Sequence, residues 1–253
     1  MENLFLVILV FMLMLLPILA ALGVIVLGII TGAGKTESVR MLGMSFIFAS
    51  IGTLTTGLLQ FFAHLLPMEQ YVSLSQANII VTEAGSFISL IFVCIFLHKN
   101  YGKKIIYVPL LLIQLAGSVI PRITAYFINK LPELKGIDLT VALMMNNLTG
   151  YLVTEIAVSL IIIITLFKNR KAEKVVPKLW VLKIITLAFA FISFGTNSFL
   201  YLNLLNDPYF LTSYDWMSSV ITLAGSLLIL LIPVYVTVKA VKTAKTKDLP
   251  EAV

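Results

Sequence analysis

Seven apolar stretches take up most of this chain and leave it few ways to fold. They cover residues 4–30, 41–66, 78–97, 105–127, 139–167, 179–205 and 217–238. A hydrocarbon layer about 30 Å thick takes roughly 20 apolar residues of helix to cross, and every stretch reaches that length. In lipid, only a helix can satisfy the backbone groups of a single spanning segment. The expected fold is therefore an all-α integral membrane protein with seven transmembrane helices. It forms one polytopic domain over residues 1–253, since the connectors are too short for a second folded unit. Composition agrees. Only 12% of residues are charged and 60% are hydrophobic, where a soluble domain carries about 25% charged residues.

The basic residues alternate with the spans. Lys35 and Arg40 follow the first, and Lys99, Lys103 and Lys104 the third. Lys168, Arg170, Lys171, Lys174 and Lys178 follow the fifth, and Lys239, Lys242, Lys245 and Lys247 the seventh. The connectors after the second and sixth spans contain no lysine or arginine; after the fourth, Lys130 and Lys135 are offset by Glu133 and Asp138. Positive residues collect on the cytoplasmic side, so the N-terminus is expected outside and the C-terminus inside. The net charge of +6 is then a matter of topology, and no nucleic-acid partner is implied. The first span opens on Met1, Glu2 and Asn3 without a basic segment, and its apolar run is longer than that of a cleaved signal peptide.

An internal repeat is visible. Residues 40–53 align without a gap on residues 183–196: Arg40 with Lys183, Phe46 with Phe189, Phe48 with Phe191, and Ser50, Gly52 and Thr53 with Ser193, Gly195 and Thr196. Thr82, Ala84, Gly85 and Ser86 match Thr222, Ala224, Gly225 and Ser226 after nearly the same interval. The expected arrangement is a 3+1+3 parallel repeat, residues 1–100 and 139–245 joined by the span 105–127. Small residues are common in membrane helices because they let backbones approach closely, but here order and spacing are kept as well.

Ionisable groups at mid-bilayer cost at least about 2.5 to 3.5 kcal/mol and normally face protein or a water-filled cavity. Glu155 falls near the middle of the fifth span, with Asn146 and Asn147 about two to three turns outward. No basic residue is expected at its depth, because Lys183 should snorkel to the nearby boundary. A carboxyl so placed is suited to bind a cation or exchange a proton, with Asn197 of the sixth span an alternative hydrogen-bond partner. Glu83 and Arg122 share a depth near the outer boundary, where they could form an ion pair. Pro17, Pro109, Pro121 and Pro233 lie within spans, where proline bends a helix.

Other chemistry is not expected. Residues 31–36 imitate the end of a phosphate-binding loop, but Ile29 stands where its first glycine belongs and no strand precedes it. His64 and His98 fall at opposite ends of the membrane and share neither a metal nor a haem. Gly225 and Ser226 stand where a retinal-binding lysine would be needed. No cofactor and no catalytic pair is read, so an enzyme is not expected. The reading that fits is a transporter of a small solute or ion through a polar pocket between two three-helix repeats. Its residues would be Glu155, Glu83, Arg122, Asn146, Asn147 and Asn197, and its surroundings the lipid bilayer of the cell membrane. The alternative is a seven-helix receptor or regulatory subunit that works through a separate membrane or cytoplasmic protein.

Overall fold

The computed structural model describes residues 2–34, 36–62, 65–102, 107–170, 178–204 and 215–247. Lys35, His64, Lys103, Lys104, Lys171 and Lys174 lie outside the described residues. Among the described residues there are seven long helices and no strand: α1 (Glu2–Gly32), α2 (Glu37–Phe62), α3 (Met68–Tyr101), α4 (Tyr107–Ile128), α5 (Gly136–Lys168), α6 (Leu179–Leu204) and α7 (Asp215–Lys247). All seven are long and apolar enough to cross a membrane. Their surfaces fit that solvent. Leu19, Ile29, Ile80, Ile120, Val153, Ile192 and Leu227 are among the large apolar side chains left exposed on these helices.

Two helices outrun the apolar stretches that announced them. α3 starts at Met68, ten residues before the apolar run at 78, and α7 continues to Lys247, nine residues past 238. Apolarity marks where hydrocarbon would lie, whereas a helix ends where its backbone is broken. α3 begins just after Pro67 and stops at Gly102, whose left-handed φ of 63° lets its N–H bond the carbonyl of His98 at 2.7 Å. The prolines need one correction. Pro17, Pro121 and Pro233 sit inside helices. Pro109, however, is the third residue of α4, in the first turn, where its missing N–H forgoes no helical bond.

The chain divides into two compact units. The first holds α1, α2, α3 and α7 from residue 222 onward, and the second α4, α5 and α6. In the first unit, α1 buries Ile18, Ala21, Val24, Gly28 and Thr31, spaced three or four apart along one face. A Cβ on Gly28 would fall on Ile47 and the Gly43 carbonyl, and one on Gly57 on Ile18. These contacts set α1 and α2 antiparallel at a separation only glycine permits. α3 is antiparallel to α2: Asn78 Nδ2 donates to Thr56 Oγ1 at 2.8 Å, and Gly52 lies against Thr82. α7 runs parallel to α1. Gly23 faces Leu230, and the buried hydroxyls of Thr31 and Thr237 share a hydrogen bond of 2.7 Å.

In the second unit, α4 and α5 pack antiparallel along a seam of matched residues. Gly117 lies against Thr154, Pro121 against Gly150, and Thr124 against Asn146. The steps of three and four residues follow one face of each helix.

Candidate functional site

The polar centre of the second unit is built from α5 and α6. Glu155 stands 19 residues from Gly136 and 13 from Lys168, near the middle of an apolar helix. Its carboxylate oxygen Oε1 accepts two hydrogen bonds. Lys183 Nζ of α6 donates one at 2.8 Å, and Ser159 Oγ, one turn further along α5, donates the other at 2.7 Å. The two charged side chains are 24% and 21% exposed, so the pair is largely withdrawn from the surface. The second oxygen, Oε2, has no hydrogen-bond partner among the described residues.

This corrects two expectations. A basic residue does stand with Glu155, because Lys183 turns its ammonium onto the carboxylate instead of out to the boundary. A lysine four residues from the start of α6 carries a long flexible stem, and a carboxylate partner in a poorly hydrated place outweighs its solvation at the interface. Asn197 is not the partner of Glu155. Its Nδ2 donates to Ser193 on its own helix, to the carbonyl at 2.8 Å and to the hydroxyl at 3.3 Å.

Asn146 belongs to the α4–α5 seam. Its Nδ2 donates to the Pro121 carbonyl at 2.8 Å, and its Oδ1 accepts from Thr124 Oγ1 at 2.6 Å. A rise of 1.5 Å per residue puts it about 13 Å along α5 from Glu155, too far to share a ligand directly with it. Asn147 is exposed. Glu83 is half-buried on α3 in the first unit, and Arg122 is exposed on α4 in the second. Of the residues named from sequence, Asn146 and Asn197 are engaged elsewhere, and the side chains bonded to Glu155 are Lys183 and Ser159. Lys183 was legible in principle, being the basic residue inside the sixth span. Ser159 was legible as the hydroxyl one turn from Glu155.

No group of three metal-ligating side chains forms among the described residues. The chain matches no protein family, no curated protein and no solved structure.

Proposed function

We propose that the protein is a membrane carrier for a small solute or ion, with Glu155 exchanging a cation or proton during transport. The observation that carries this reading is the Glu155–Lys183 pair, set between two helices apolar enough to span a membrane. Ionisable residues in such segments are expensive and characteristically mark ion pathways. A carboxylate that shares one oxygen with lysine and serine still offers the other to an incoming cation. A cation or proton that reaches Glu155 competes with Lys183 and loosens α6 from α5, which couples occupancy to helix position. The orientation proposed with this function is N-terminus outside and C-terminus cytoplasmic, from the alternation of basic segments.

The test is flux through purified protein in liposomes loaded with a pH-sensitive dye, under a potassium diffusion potential. Sodium, potassium and proton gradients are imposed in turn. Wild-type protein is expected to pass one of these ions faster than empty liposomes, and Glu155→Gln to abolish the difference while inserting normally. Wild-type flux equal to empty liposomes under all three gradients would remove the ion-exchange role of Glu155, and with it the support for a carrier.

A further inference from the structure

We infer that the C-terminal part of α7 is an arm that binds anionic phospholipid headgroups. The inference rests on α7 crossing a bilayer and not on Glu155 carrying a solute. The apolar part of α7 ends at Val241, yet the helix runs on unbroken to Lys247. Lys242, Lys245 and Lys247 fall in this last stretch and Lys239 lies just inside the end of the span, with no acidic residue between 239 and 247. Four lysines at the end of a membrane span form the kind of basic cluster that attracts anionic lipid.

The start of this arm is anchored. Thr237, 7% exposed, shares its hydroxyl bond with Thr31 of α1 and also donates to the Pro233 carbonyl at 2.8 Å. Val236 beside it is fully buried. One turn after Tyr235, Lys239 sets its ammonium 5.9 Å from the centre of that ring, an aromatic and basic pairing suited to the edge of hydrocarbon. The arm therefore leaves the bundle from a fixed point, with no linker between span and lysines.

Helix rise then places these positions along the helix. The segment from Lys242 to Lys247 climbs about 8 Å, and the headgroup layer on each face of a bilayer is roughly 5 to 8 Å thick. An arm continuous with the span brings these helix positions to headgroup height, where a lipid headgroup is met before a soluble acidic protein. At the same end of the first unit, Glu37 is already paired with Lys99.

The experiment compares lipids retained by the full chain under native mass spectrometry, after exchange against equal amounts of phosphatidylglycerol and phosphatidylcholine. Wild-type protein should retain phosphatidylglycerol preferentially, and the preference should weaken as salt is raised. Changing Lys239, Lys242, Lys245 and Lys247 together to Gln should lower the preference about ten-fold or more, while changing them to Arg should preserve it. The Lys130→Gln/Lys135→Gln variant should retain it unchanged. The salt series needs no variant, so the inference stays testable even if the Gln variant inserts poorly. Equal retention of both lipids by the wild type, no salt dependence, or an equal loss in the Lys130/Lys135 variant would overturn it. Displacement of the lipid by inorganic phosphate would assign the arm to a free anion, and displacement by a polyglutamate peptide would assign it to an acidic protein. Lipid retention is read without flux, so its failure and that of the carrier reading are distinguishable.

Discussion

At Glu155 one carboxylate oxygen serves two donors, and each is of a kind that a sequence discounts. A lysine near a helix start is ordinarily a boundary residue, and a serine one turn away ordinarily bonds its own backbone. Here both converge on Glu155 at 2.8 and 2.7 Å, because a carboxylate in an apolar helix is the strongest acceptor within their reach. The charge at mid-helix was therefore legible and Lys183 was visible as a basic residue within the sixth span, but the direction its side chain takes was not, since packing decides it. Removing one partner strands the other. Exposed pairs contribute about 0–1 kcal/mol and breaking a buried pair costs about 3–5 kcal/mol, so a pair one-fifth to one-quarter exposed belongs between, at about 2–3 kcal/mol. Glu155→Gln and Lys183→Gln are each expected to lower stability by that amount in thermal unfolding of detergent-solubilised protein. The double variant should recover part of the loss; strictly additive losses would show that the two side chains do not meet in solution.

The helices were all legible as elements, because seven apolar runs each demand one. What the runs could not convey is which small residues carry the packing. Gly52 and Gly195 stand at matching positions of the two aligned sequence segments, yet their surroundings differ. A Cβ on Gly52 would lie 2.8 Å from the Cα of Thr82, so α3 itself would have to shift, whereas a Cβ on Gly195 meets nothing within 4 Å among the described residues. Gly52→Ala should therefore destabilise by about 1–3 kcal/mol through overpacking. Gly195→Ala should stabilise by about 0.5–1 kcal/mol, because alanine loses less freedom in a helix. Melting of the two variants side by side checks the opposite signs, and a matching loss in both would mean that Gly195 is packed against a neighbouring helix. The adjacent asparagines of α5 divide in the same way. Asn146→Ala removes both bonds across the α4–α5 seam and should cost about 1–2 kcal/mol, the worth of one or two hydrogen bonds. The exposed Asn147→Ala should change stability by no more than about 0.5 kcal/mol. Asparagine in a span looks the same from sequence whether it faces a neighbouring helix or the surroundings, which is why both were named together.

For the whole molecule, geometry and charge bear separately on topology. Within the first unit α1 is antiparallel to α2 and parallel to α7, as the Gly28–Gly43 and Thr31–Thr237 contacts require. The start of α1 and the end of α7 therefore lie at opposite ends of that unit, whichever face of a membrane each meets. An even number of crossings would have brought them to the same end. Charge bears on the face, since most of the lysine and arginine lies at the C-terminal ends of α1, α3, α5 and α7 and in the residues just after them. The proposed orientation is read with single cysteines in a Cys94→Ser background. Cys94 is 4% exposed, and its replacement removes the native thiol. Cysteines at Ser73 and Glu133 should react with an impermeant thiol reagent added outside intact cells. Cysteines at Thr36 and Ala172 should react only after the membrane is opened. Ser73 and Thr36 test the packing itself, because they sit near the starts of the antiparallel helices α3 and α2. Labelling of both from one side would contradict that arrangement. Labelling of Thr36 and Ala172 from outside, with Ser73 and Glu133 protected, would leave the seven crossings intact and reverse the orientation that the basic residues assign.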